Sequence, residues 1–184
     1  MKKKVLILLT ALALVAALFA GCASQPKEGT EGQQPSGDQQ PDAQTSASIV
    51  NDETAFVKAI GKDGTWIIAT LKDLEIDQDL VVEGEFHDKD NASSDLYRKI
   101  ALYAQDDNHN VTARYKLTAP KLTVKSPNTK IQGGTFVGDV YVESEGFSVE
   151  DATIEGNVYF ATKEYQDSAN LDSGTVTGEA KVQE

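Results

Sequence analysis

Three segments in the C-terminal third align without a gap: TFVGDVYV at 135–142, TIEGNVYF at 153–160 and TVTGEAKV at 175–182. They share the order Thr, apolar, any residue, Gly, small polar or acidic, apolar, any residue, apolar. The offset between the first two copies also superposes Leu122 on Val140 on Val158, Val124 on Val142 on Phe160, and Ile131 on Val149. The last interval is longer, the extra residues falling within ATKEYQDSAN at 161–170, after which Leu171 takes the place of Val149. An earlier segment, VVEGEF at 81–86, fits the first half of the pattern. A period of about 20 residues made of short alternating strands marks a solenoid, whose coils bury their apolar faces only by stacking on one another. The expected fold is therefore all-β, a right-handed parallel β-helix. Phe136, Val140 and Val142 should point inward, with Ile154, Val158 and Phe160 stacked above them and glycines at the corners. A left-handed hexapeptide helix fails at Lys130 and Ser148, which stand where its apolar repeat needs an aliphatic residue. A β-sandwich would share the turns and the alternation, but not a gapless three-copy alignment.

Upstream of the repeat, Asn51 and Asp52 precede Glu53, with apolar residues at Phe56, Val57 and Ile60 and a glycine at 61. This order predicts one short helix with Asn51 or Asp52 at its N-cap, acids in its first turn and Gly61 at its C-cap. A short helix followed by a glycine turn and several short strands resembles the opening of many parallel β-helix proteins, where the helix caps the first coil. Residues 87–119 depart from the coil pattern and are expected to form an insertion, with two strands flanking the turn at Asp106 to Asn110. On a repeat scaffold such insertions often carry function. The Gly-punctuated coils are also similar to the bactofilin-type polymer-forming proteins of bacteria, a resemblance that implies self-association end to end.

The N-terminus has three parts. Lys2, Lys3 and Lys4 are followed by an apolar stretch at 5–20 broken only by Thr10, and then by Gly21 and Cys22. The stretch is shorter than the ~20 apolar residues of a membrane span, and with its basic flank it reads as a signal peptide over 1–21. LFAGC at 18–22 resembles the lipobox of bacterial lipoproteins, with Phe19 three residues before the cysteine and Leu18 one place earlier. That resemblance implies lipidation of Cys22, the one cysteine in the chain. Multiple acyl chains give stable anchoring where a single chain does not. Residues 22–48 comprise this cysteine and a Gly-, Pro-, Ser- and Gln-rich stretch without aromatic or large aliphatic side chains, too polar to offset the entropy of ordering. It reads as a flexible linker with an r.m.s. reach on the order of 25–30 Å. The domain then occupies 49–184.

Charge narrows the partners. With 17 basic against 29 acidic residues and a net charge of −12, the chain lacks the clustered cations that nucleic acid requires. One cysteine excludes an internal disulfide framework and a thiolate zinc cluster. Nucleophile, phosphate-loop and zinc motifs are absent from the sequence, and no cofactor is expected. Asp88, Asp90, Asn91 and Asp95 offer oxygen ligands, but Ala92 and Ser93 break the EF-hand spacing, which leaves Asp88, Asp90 and Asp95 a weak calcium candidate in a solvated acidic loop. A polysaccharide lyase on a β-helix would need acids holding calcium beside a basic residue, and only Arg98 and Arg114 are candidates.

Alternation places further residues in outward ladders: Thr135, Thr153 and Thr175 in one, Asp139, Asn157 and Glu179 in another, Tyr141 and Tyr159 in a third. Tyr141, Tyr159, Asp139 and Asn157 could bind glycan rings, or the ladders could serve only cross-strand pairing. The sequence thus leads to an extracytoplasmic, lipid-anchored bacterial surface protein, a non-catalytic β-solenoid for a glycan or envelope-protein partner. A self-assembling filament and a carbohydrate-active enzyme are the alternatives.

Overall fold

The computed structural model describes residues 47–183. The stretch expected to be a signal peptide, Cys22 and most of the stretch expected to be a linker lie outside the described residues. The elements are β1 (Ala47–Ile49), α1 (Glu53–Ile60), β2 (Ile67–Ala69), β3 (Leu74–Glu75), β4 (Leu80–Val82), β5 (Arg98–Ala101), β6 (Tyr103–Gln105) and β7 (Val111–Arg114). They continue with β8 (Lys116–Val124), β9 (Thr129–Gln132), β10 (Thr135–Val142), β11 (Ser148–Glu155), β12 (Val158–Phe160), α2 (Lys163–Ser168), β13 (Asn170–Val176) and β14 (Ala180–Val182).

The fold is mostly β, and its strands join into one large parallel sheet that curls on itself. Its pairings form three ladders. The first runs β1, β2, β5, β9, the start of β11 and the start of β13, stacking Ile68, Ile100, Ile131 and Val149 in register. In the second, Leu74 of β3, Leu117, Phe136, Ile154 and Val176 stand one above another. The third stacks Leu80 on Leu122, Val140, Val158 and Ala180, and beside them Val82 on Val124, Val142, Phe160 and Val182. The strands are thus bonded by parallel ladders and share one core of aliphatic and phenyl side chains. Burial of each such side chain contributes about 1.5–3 kcal/mol, so each rung of the ladders adds to the core.

The repeat aligned in sequence is the register found in space: Thr135 pairs with Thr153, Thr153 with Thr175, and Val140 with Val158. Phe136, Val140, Ile154 and Val158 are fully buried. The corner glycine is explained by close stacking. At Gly138 the backbone has φ +137°, and a Cβ on Gly156 would lie 2.1 Å from the Gly138 carbonyl oxygen. β10 passes through this corner as one bent strand, its register to β8 shifting between Val137 and Asp139.

Helix α1 has the ends expected of it. Asp52 accepts a hydrogen bond from the Ala55 amide (2.8 Å), and Phe56, Ala59 and Ile60 face the core. Gly61 ends the helix with φ −72°, a conformation open to any residue.

Two expectations change. Val82 pairs with Val124, which puts it in the column of Val142 and Phe160, so segment 81–86 matches the end of the motif and not its first half. The stretch that leaves the coil pattern is also narrower than 87–119. Arg98–Ala101 pairs with β2 and β9, and β8 enters the second ladder from Lys116. What departs from the ladders is the loop before β5, closed by a His87 to Leu96 bridge, and the antiparallel hairpin β6–β7, whose first strand is buried and whose second is mostly exposed. These segments lengthen the first coils and hide their period in the sequence.

Candidate functional site

Asp139 and Asn157 are engaged within the corners. Asp139 Oδ1 accepts hydrogen bonds from the backbone N (2.8 Å) and Nδ2 (2.9 Å) of Asn157, whose own Oδ1 accepts from the Glu179 amide (3.0 Å). Each side chain thus satisfies the amide of the next coil, which holds the turns in step. Tyr141 and Tyr159 stack as expected, with ring centroids 5.0 Å apart and planes 38° from parallel. Lys121 Nζ stands 5.7 Å from the Tyr141 centroid, and Lys181 pairs in register with Tyr159. The two rings thus pack against one another with Lys121 beside Tyr141, an arrangement that stabilises the ladder. Lys121 is further tied to Asp79 (2.7 Å), whose hydrogen bond and charge raise its pKa.

The acidic loop behaves as a self-contained turn. The Asp88 amide donates to the Asp95 carbonyl (3.1 Å), His87 Nδ1 contacts the Ser94 carbonyl (2.6 Å), and Lys89 and Asp90 are left-handed. Among the described residues no three of His, Cys, Asp and Glu stand together as a metal cage, so Asp88, Asp90 and Asp95 do not converge. Cys22 lies outside the described residues.

Two clusters escaped sequence reasoning. The first surrounds β5. Arg98 is fully buried and donates from Nη1 to the Glu83 carbonyl (2.9 Å) and from Nη2 to the carbonyls of Ala59 (2.7 Å) and Gly61 (3.2 Å). Its guanidinium lies 3.8 Å from the Phe86 centroid, and burial lowers its pKa to about 10. The positive charge meets the carbonyl end of α1, where a helix concentrates negative partial charge.

Next along β5, Lys99 is nearly buried on the outer side of the first ladder, between Ile67 and Lys130. Burial, then the charge of Lys130, pushes its pKa down to about 8, with Glu150 acting in the opposite direction. Glu150 pairs with Lys130 and accepts from Gln132 Nε2 (3.0 Å), while burial holds Tyr97 and Tyr103 up at about 12. In the unfolded chain a lysine titrates near ~10.4, so from about pH 8 to that value the unfolded state holds more protons and stability rises with pH. Thermal melts should rise from pH 8 to 10 in the wild type, and Lys99→Met should lose that increment. Above pH 10 the two tyrosines act in the opposite sense, because the unfolded phenols ionise first.

The second cluster is an open groove of about 500 Å³ at the corner between the first and second ladders. Gly134, Ala152 and Gly174 form its floor on three successive coils. Thr135, Thr153 and Thr175 line it in register, with Asp151, Asp172 and Ser173 also in the lining. Arg114 reaches it from hairpin strand β7. The guanidinium donates to the carbonyls of Gly133 and Asp151 (2.9 Å) and pairs with the Asp151 carboxylate (2.6 Å). The signal that could have revealed the groove is the small residue preceding the threonine in each copy of the repeat.

Compared with protein-family models, with curated proteins and with solved structures, the chain has no match in any of the three. Function has to be argued from the chain itself.

Proposed function

We propose that the chain is a lipid-anchored, extracytoplasmic bacterial surface protein whose domain is a right-handed parallel β-solenoid with a helical cap, acting as a non-catalytic scaffold or binding module for an envelope or extracellular partner. The observation that carries this reading is the order of parts in one chain. A basic flank, a short apolar stretch and LFAGC precede a polar linker, and the linker leads into a domain built from stacked parallel ladders. A repeat domain offers extended faces suited to binding, and a net charge of −12 keeps it off anionic headgroups. Metabolic labelling with an alkyne fatty acid tests the anchor. Wild type should label and sediment with membranes, and Cys22→Ala should lose both properties; equal labelling of the two would sink the anchor.

A self-assembling, bactofilin-like filament is the second reading, favoured by the last coil. Val176 and Val182 are only half-buried and Ala180 is exposed, where Ile154, Phe160 and Val158 of the preceding coil are fully covered. Among the described residues, β13 and β14 are paired along one side only. Unpaired strand edges invite further pairing, and sedimentation across a concentration series separates a filament from a monomeric binder.

A further inference from the structure

The groove at the Gly134 corner is recessed for a steric reason and polar for a sequence reason. A Cβ at Gly134 would stand 2.1 Å from the Tyr115 carbonyl oxygen, so the floor cannot carry a side chain there. The Thr135, Thr153 and Thr175 walls follow from the repeat, which sets one hydroxyl on each coil at ~4.8 Å intervals.

We propose that this groove binds a linear, uncharged polysaccharide laid across the strands, a proposal that rests on the binding reading above and gives it a ligand class and a place. Threonine hydroxyls repeating from strand to strand match a polymer that presents hydroxyls at regular intervals. Threonine and serine both donate and accept, Asp151 and Asp172 accept, and Arg114 donates at one end. The charge balance selects against an acidic chain. Arg114 is already paired with Asp151, and among the described residues Asp172 is the other charged group in the groove of an acidic protein. An extended peptide fits poorly, because peptides dock through free sheet edges or apolar pockets. Here the corner amides are taken: Thr135 N donates to the Tyr115 carbonyl (3.0 Å) and Thr153 N to that of Gly134 (2.9 Å).

Calorimetric titration of the full-length protein tests this, with cellohexaose, xylohexaose, laminarihexaose and mannohexaose as neutral probes and hexagalacturonate as the charged one. At least one neutral probe should bind, and hexagalacturonate should bind about tenfold more weakly. Thr153→Val keeps the β-branched shape and removes one hydroxyl; Arg114→Gln removes the terminal cation. Each should weaken binding about 3- to 10-fold, the worth of one or two hydrogen bonds, with melting temperature confirming that the variant is folded. Tighter binding of hexagalacturonate would overturn the uncharged class. Neutral binding that survives both substitutions but is lost in Tyr141→Ser would overturn the groove while leaving the binding function standing. If no hexasaccharide binds at millimolar concentration, the ligand class falls and the fatty-acid result decides the anchor separately.

Discussion

Arg98→Ala should lower the stability of the domain by about 4 kcal/mol and its melting temperature by roughly 15 °C. Two mechanisms add. Truncating a fully buried side chain leaves a cavity, and the carbonyls of Ala59, Gly61 and Glu83 lose their shared donor. The arginine is itself a desolvated charge, with Nε unpartnered among the described residues, so its net contribution is smaller than the loss on deletion. Arg98→Met separates these effects. It restores volume and removes the charge but not the orphaned carbonyls, so it should recover only part of the stability. Chemical denaturation of the three proteins side by side checks the order. Full recovery in Arg98→Met would mean that the guanidinium serves as filler and not as a clasp between α1, β4 and β5.

Gly156→Ala should cost about 3 kcal/mol, at the upper end of what overpacking costs, although it adds a single methyl group. The obstruction is backbone: the new Cβ would meet the Gly138 oxygen at 2.1 Å and its carbon at 2.6 Å, and neither can rotate away. The coils at this corner must separate or the strands must shift register, and either response loosens the Asp139 to Asn157 hydrogen bonds that bridge them. Gly61→Ala is the built-in comparison. Its Cβ would meet nothing closer than 3.5 Å and its φ of −72° suits alanine, so that change should be neutral or stabilise by up to ~1 kcal/mol. Equal melting of the two variants would remove the steric account of the motif glycine.

These predictions mark the boundary between what the sequence discloses and what it withholds. The last three coils were legible because they recur at nearly constant length, so Thr135, Thr153 and Thr175 could be aligned and were found paired. Helix α1 was legible because capping is local chemistry: Asp52 needs only the Ala55 amide. The first coils were not, because the 87–96 loop and the β6–β7 hairpin stretch their spacing, and Val81 to Phe86 was set in the wrong part of the motif for the same reason. Arg98 was assigned to the 87–119 insertion, and its role stayed hidden because the carbonyls of Ala59 and Gly61 at the end of α1 and of Glu83 after β4 meet around it only in the fold. The groove was hidden differently. Its walls come from three coils and a hairpin, so only their stacking brings Arg114 to Asp151. The tyrosine pair, by contrast, was located correctly, and its geometry fits ladder packing better than an open platform.

The two ends of the stack are unequal, and that asymmetry gives unfolding a direction. At the start, α1 lies over the core with Phe56 and Ile60 sealed, while among the described residues the final strands have a ladder partner on one side only and leave Ala180 in solvent. In a linear array whose stability resides largely in the contacts between adjacent units, a terminal unit with one contact opens at lower cost than an inner unit with two. The chain is therefore expected to open first at β13 and β14 and last at the helix. Protection of backbone amides against solvent exchange should be graded along the stack in the same order.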